Sequence, residues 1–221
     1  MFRWAVGILC IAVPVSAQRP PMVPAYLLSA VERPPLEVTF LLAEAGIPCG
    51  IEIRESDDVV PRPPADSGRD LSQQVPASMV VQAFNEYHRE YRAALVNGVF
   101  VIRPSAGMAS FLDAPSVIVP PITVVATMEA IRRILSPLDA RLLSPHIGGG
   151  IGPEAAKGLT ARFVLDGSGP RNVIDTLNQL VLQMPGAWEV TTRQYGQEWK
   201  IAKFGFIYGD RSRSQETMPT H

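Results

Sequence analysis

The sequence contains very little cysteine. Only Cys10 and Cys49 occur among its 221 residues, and Cys10 lies in the apolar amino-terminal run of a predicted leader. One remaining cysteine cannot form an intramolecular disulfide, so the fold must be stabilised by an apolar core. Cys49 has no basic residue or histidine adjacent to it in the sequence, which predicts a buried, inert thiol rather than a reactive one.

The sequence also lacks an excess of charge of either sign. Twenty lysines and arginines oppose 21 acidic residues, for a formal net charge of −1. This balance provides no electrostatic footprint for nucleic acid and little attraction to anionic lipid. No segment after the leader is apolar enough to span a membrane. We therefore predict a protein with no nucleic-acid partner and no membrane span after leader cleavage.

Residues 1–17 have the pattern of a cleavable secretory signal. Arg3 is followed by an apolar run and then by the small-residue end Val15-Ser16-Ala17, which predicts cleavage after Ala17. The apolar run is too short to span a bilayer comfortably, and Cys10 is not placed for lipid attachment. The predicted location is periplasmic or secreted, with the protein soluble after cleavage.

Residue sets that specify a reaction are also missing. The three histidines, His88, His146 and His221, form no His-x-x-x-His or His-Glu-x-x-His pair, and no Gly-x-Ser-x-Gly elbow occurs. Asp57-Asp58 has no further acids at metal-ligand spacing and is interpreted as part of a solvated loop. We predict no catalytic residue, no cofactor, no metal site and no enzymatic activity.

One stretch supports an alternative. His146 opens a glycine-rich loop, residues 146–153, whose successive N–H groups could face an anion. The glycine spacing differs from the dinucleotide fingerprint, and the Gly-Lys-Ser/Thr order is absent. The alternative hypothesis is a small secreted hydrolase or ligand-binding protein with its site between the two halves, near this loop.

Apolar periodicity and turn residues predict the elements of the first half. Asn97-Gly98 between apolar runs is a strong hairpin signal, because both residues tolerate positive φ. The predicted elements are a short helical turn within Ala25–Glu32, a helix at Leu36–Ala45, strands at Ile47–Arg54 and Asp70–Val75, a helix at Pro76–Glu90, and a hairpin of Tyr91–Val96 and Val99–Arg103.

The second half has a related pattern. A shift of 93 residues places Val81, Phe84 and Asn85 on Ile174, Leu177 and Asn178. The predicted elements are a helix at Val124–Leu135, strands at Ala140–Leu143 and Leu159–Leu165, a helix at Pro170–Met184, and a hairpin of Trp188–Gln194 and Glu198–Phe204. This pattern predicts an internal repeat.

The predicted fold class is α+β: two tandem small units, each helix-strand-strand-helix-hairpin, with helices packed on small mixed sheets. The predicted segments are a signal peptide (1–17), a proline-rich lead-in (18–35), unit 1 (36–104), a proline-rich linker (105–121), unit 2 (122–208) and a disordered tail (209–221).

The segments LLAEAGIPCGIEI and LSQQVPASMVVQAFNEYHREYRAALVNGVFVIRP resemble the short N-terminal domain of secretins and TonB-dependent transducers. The second unit resembles it through LTARFVLDGSGPRNVIDTLNQLVLQMPGAWEVTTRQYGQEWKIAKF. No outer-membrane barrel or secretin core follows in this sequence. The resemblance implies a periplasmic module that docks an envelope protein, in the context of secretion or TonB-type transport, without implying which protein.

Aromatic residues are concentrated on the last predicted hairpin. Trp188, Tyr195 and Trp199 are candidates for an exposed face that binds a partner or a sugar. The alternative is cross-strand packing in the core.

Overall fold

The computed structural model describes residues 21–58, 72–108, 112–113, 122–126, 147–148, 162–165, 172–183 and 186–208. The helices in these ranges are α1 (Leu27–Ala30), α2 (Pro35–Glu44), α3 (Ala77–Tyr87) and α4 (Val173–Gln183), with a 3₁₀ turn at Glu55–Asp57. The strands are β1 (Met22–Pro24), β2 (Cys49–Arg54), β3 (Gln74–Pro76), β4 (Tyr91–Val96), β5 (Val99–Pro104), β6 (Ile122–Ala126), β7 (Ile147–Gly148), β8 (Arg162–Leu165), β9 (Gly186–Tyr195) and β10 (Glu198–Tyr208).

A six-stranded mixed sheet in the order β4-β5-β2-β9-β10-β7 contains strands from both halves of the chain. β2 pairs in parallel with β5 on one side and with β9 on the other. The hairpins β4–β5 and β9–β10 are antiparallel. The register of β2 and β9 runs from Cys49 opposite Ala187 to Arg54 opposite Thr192, so backbone pairing joins the two halves directly.

The two faces of this sheet are covered by different helices. α2 packs on β2, β9 and β10, while α3 packs on β4. Ile51 and Ile53 of β2 belong to the buried core on this face, together with Phe84 of α3. α4 contacts β9, β2 and β5, and Trp188 and Asn178 form a buried contact there. Because side chains alternate between the faces of a strand, β2 supplies both layers.

Similar strand pairings occur in the two halves. β5 pairs in parallel with β2, and β10 pairs in parallel with β7. Two-stranded antiparallel sheets form between β1 and β3 and between β6 and β8. The predicted division into two repeated units stays a prediction, since most of the chain from 127 to 161 lies outside the described residues.

The α+β class with small mixed sheets is confirmed. The Asn97-Gly98 hairpin is also confirmed, with φ of 52° and 84° at the two turn residues. Gly46 lies just after the end of α2 and has φ of 74°. This is the left-handed conformation that glycine adopts at low cost and that commonly ends a helix. Helical spacing predicts that five apolar residues of α4 face the core, and all five are buried: Val173, Ile174, Leu177, Leu180 and Val181.

Two expectations differ from the structure. The helix predicted to start at Val124 is wrong at its beginning, because Ile122–Ala126 forms β6; its run of β-branched residues favours a strand. The lead-in has the extended segment β1 followed by the predicted short helical turn, α1, and its Val23 and Leu27 lie in the core. Helical spacing places Tyr87 on one face with Val80 and Phe84, which are buried, but Tyr87 itself is 56% exposed.

Several expectations fall outside the described residues. These are the leader, the linker except for 105–108 and 112–113, the strand at 140–143, the glycine-rich loop except Ile147–Gly148, and the tail at 209–221. Among the described helices, none is both long and apolar enough to cross a bilayer.

Candidate functional site

The β9–β10 hairpin extends beyond the sheet at the carboxyl end of β2. The parallel pairing of β9 with β2 ends at Thr192 opposite Arg54, but the hairpin continues to its turn, where Gly196 has φ of 59°. Every residue from Arg193 to Glu198 is exposed. We call this six-residue segment the hairpin tip.

Tyr195 is the exposed aromatic residue of the hairpin tip. Its side chain is 40% exposed, and its hydroxyl accepts a hydrogen bond from Nη1 of Arg193 at 3.1 Å. Arg193 also forms a two-pronged ion pair with Glu55, directly after β2. This contact lowers the pKa of Glu55 and raises that of Arg193. The tip is thereby connected to the end of the neighbouring strand.

Trp199 lies near the tip but is half-buried. The Arg54 guanidinium carbon lies 5.9 Å from the centre of its ring, a cation–π distance. Arg54 Nη2 also donates a hydrogen bond to the Ala106 carbonyl at 2.8 Å. A Cβ atom on Gly107 would lie 2.8 Å from the ring, so the ring packs directly on that backbone. Only part of the ring remains available to a partner.

Trp188 is fully buried. Its Nε1 donates a hydrogen bond to Oδ1 of Asn178 at 2.9 Å, and a Cβ atom on Gly50 would lie 1.9 Å from its ring. Trp188 therefore packs between β2 and α4, as the core-packing alternative expects. It is not accessible to a partner in this conformation.

The three aromatic residues thus do not form one face. Trp199 pairs with Gln194 and Tyr195 pairs with Glu198 in the hairpin register, so alternation places Tyr195 and Trp199 on opposite sides of the hairpin. Trp188 precedes Tyr195 by seven positions on β9, roughly 23 Å along an extended strand. Sequence reasoning grouped them because they are close in the chain.

An ion-pair network starts from a buried glutamate of β2, continues through Arg103 of β5 and ends at the exposed Asp113. The Glu52 side chain is fully buried, and its Oε2 lies 2.9 Å from Nε of Arg103. The Arg103 guanidinium also makes two hydrogen bonds to Asp113, at 2.7 and 3.0 Å. Burial acts to lower the pKa of Arg103, but the Asp113 hydrogen bonds and the Glu52 charge outweigh it and raise the pKa. The network's one signal in the sequence is a glutamate inside an apolar strand.

A second charged cluster involves a residue that the sequence analysis assigned to a solvated loop. Asp58 lies 3.6 Å from Nζ of Lys203, which also contacts Glu189 at 2.9 Å. Its neighbour Asp57 accepts a hydrogen bond from the Tyr91 hydroxyl at 2.6 Å. Burial, followed by that hydrogen bond, raises the pKa of Tyr91. The Asp57-Asp58 pair therefore anchors the end of β2, and the interpretation as a simple solvated loop is wrong.

The other side chains of types that often take part in chemistry, a cysteine and a histidine, make contacts that stabilise the fold. Cys49 is buried, as predicted, and burial raises the pKa of its thiol. His88 Nε2 lies 2.8 Å from the Val31 carbonyl, to which it donates, and its ring packs on Phe84. His146 and His221 lie outside the described residues. Within the described ranges, no group of three histidine, cysteine or acidic residues is arranged to hold a metal.

In comparisons with known proteins, no protein-family model, curated protein or solved structure matches this chain. The hairpin tip is therefore the candidate site on its geometry alone.

Proposed function

We propose that this protein is an exported, non-enzymatic docking module of the bacterial cell envelope that binds a protein partner through the hairpin tip. The leader pattern of residues 1–17 supports export. The resemblance to the short N-terminal domain of secretins and TonB-dependent transducers supports a setting in secretion or TonB-type transport. The order helix, strand, strand, helix and hairpin, on which that resemblance depends, is present from Pro35 to Pro104.

The observation that carries the proposal is the projecting tip itself. Arg193 and Tyr195 are the residue types that contribute most often to binding hot spots, because each combines a large contact area with a polar group. They are exposed and contact each other at 3.1 Å. The ion pair of Arg193 with Glu55 favours one arrangement of the tip before binding, and a pre-ordered surface loses less conformational entropy on association.

Sheet-edge pairing at β4 is a less suitable docking mode. The backbone of Ala93 on the outer side of β4 already makes two hydrogen bonds with the Asn85 side chain. A partner strand would have to displace that side chain, whereas the hairpin tip offers side chains directly. This contrast favours recognition through the hairpin over β-strand addition at β4.

Site-specific photo-cross-linking in the producing bacterium tests the proposal. A photoreactive phenylalanine analogue replaces Tyr195 in one variant and Tyr87 in a matched control. Tyr87 is a surface tyrosine on α3 and is 56% exposed, compared with 40% for Tyr195. The proposal predicts one discrete envelope-protein adduct from position 195 and none from position 87.

A second variant shows whether that adduct depends on the tip. Arg193→Glu, introduced beside the photoreactive residue, reverses one charge and breaks the pair with Glu55. Affinity at the tip should fall by about thirtyfold or more, the change expected for loss of one interfacial contact of hot-spot strength, and the adduct should fall with it. Equal adducts from positions 195 and 87, or an adduct unaffected by Arg193→Glu, would exclude the hairpin tip as the docking surface.

A further inference from the structure

β4 forms one edge of the six-stranded sheet. In the ranges that the structure describes, no strand pairs with its outer side. Alternate residues of an antiparallel strand direct their N–H and C=O groups away from the hairpin partner, and an edge of this kind can pair with another chain. The outward-facing N–H and C=O groups of Ala93 lie at the centre of this edge.

The side chain of Asn85 occupies this position. The Ala93 N–H donates to Oδ1 of Asn85 at 2.7 Å, and Nδ2 of Asn85 donates to the Ala93 carbonyl at 3.0 Å. A carboxamide carries an accepting C=O and a donating NH₂ side by side. It can therefore replace the C=O and N–H groups that the backbone of a neighbouring strand would offer. Nη1 of Arg92 also donates to the backbone carbonyl of Asn85 at 3.1 Å, which holds the end of α3 against the strand.

The 93-residue shift of the predicted repeat places Asn178 on Asn85, but the two carboxamides make different contacts. Asn178 lies on α4 eight residues before Gly186, as Asn85 lies eight residues before Ala93. The outer side of β9 is paired with β2. The Asn178 side chain instead accepts the Trp188 hydrogen bond, and its buried Nδ2 has no hydrogen-bond partner within the described ranges. The carboxamide binds strand backbone in the half where that edge is open.

We infer that Asn85 closes the β4 edge against a second copy of this chain, whose own β4 would otherwise pair with it. The strand is self-complementary in the antiparallel sense. A two-fold axis at Ala93 places Arg92 opposite Ala94 and Tyr91 opposite Leu95 of the second copy, so no like charges meet across the pair. The two Ala93 residues would exchange the two hydrogen bonds that Asn85 now makes.

The test is the self-association of the full mature chain, measured by sedimentation velocity over a concentration series. Asn85→Ala removes the side-chain amide and should tighten self-association by about tenfold or more, as expected when two backbone groups lose their partner. Gln82→Ala, on an exposed position of the same helix, is the matched control and should behave as the wild type. Asn85→Ala combined with Ala93→Pro should return to the wild-type state, because proline has no N–H to donate across an edge.

Each outcome decides the inference. Association of Asn85→Ala that Ala93→Pro abolishes supports it. A folded, non-associating Asn85→Ala overturns it, as does association that Ala93→Pro leaves unchanged or a wild type that already associates through Ala93. If circular dichroism shows that Asn85→Ala is unfolded, Asn85→Ser removes the paired amide while keeping a polar side chain, and the same expectations apply to it.

Discussion

At the scale of single residues, Cys49 connects burial to a measurable dependence of stability on pH. Its thiol is buried between α2 and β9, with Sγ 3.6 Å from the Thr39 carbonyl and 3.9 Å from the Gly186 carbonyl. Burial raises its pKa above the ordinary value of 9.0. A group with a raised pKa in the folded state contributes stability that is complete below the unfolded pKa and decreases as pH rises above it.

We therefore expect the wild type to lose stability relative to Cys49→Ala above about pH 9. The unfolded chain releases the thiol proton there, while the folded chain retains it. The difference in unfolding free energy between the two proteins should change by about 1.4 kcal/mol per pH unit in this range. Urea titrations under reducing conditions at a series of pH values measure it, and Tyr91 and Lys203 titrate in both proteins and so cancel. A pH-independent difference would show that the thiol ionises without cost in the folded protein.

At the scale of elements, Trp188 determines how closely β2, β9 and α4 pack. Its ring lies directly against Gly50 of β2, where a Cβ atom would come within 1.9 Å of the ring. Its indole N–H donates a hydrogen bond to Asn178 of α4. Glycine is needed at position 50 for this close approach, not for an unusual backbone conformation.

Gly50→Ala should accordingly destabilise the protein by about 1–3 kcal/mol or more, because the core must shift to admit a methyl group. The cost should be smaller in a Trp188→Leu background, where the ring is absent, with a coupling of at least about 1 kcal/mol in a double-mutant cycle. Gly196→Ala is the control. Its added Cβ meets no atom within 4 Å, so any cost from its positive φ should be additive with Trp188→Leu. Additive effects for Gly50→Ala and Trp188→Leu would contradict the observed contact.

Local pattern predicted most elements of residues 35–104, and also α4, because their determinants are local. Asn97-Gly98 fixes a turn, and the apolar stripe of α4 requires only one buried face. The pairing of β2 with β9 could not be predicted, because it joins residues more than 130 positions apart and no local signal specifies which strand edges meet. The same applies to the candidate site: Tyr195 was identified by type, but the burial of Trp188 depends on which face of the sheet α4 covers.

At the scale of the whole molecule, the sheet makes the two halves dependent on each other. β2 lies at the junction, paired with β5 of its own half and with β9 of the other. The hairpin tip projects from β9 and β10, and the closed edge lies on β4, so both proposed surfaces are positioned by this one sheet. A substitution that destabilises β2 should therefore destabilise the strands that pair with it in both halves.

The most direct test of this arrangement is hydrogen exchange by mass spectrometry on the wild type and on Ile51→Ala, which removes a fully buried side chain from the middle of β2. That change should destabilise the protein by about 2–5 kcal/mol. If the two halves share one sheet, backbone protection should fall together in Val99–Pro104 and in Gly186–Tyr195, the two strands that flank β2. Loss of protection confined to the first half, with Gly186–Tyr195 unchanged, would contradict a common sheet and the placement of both surfaces on it.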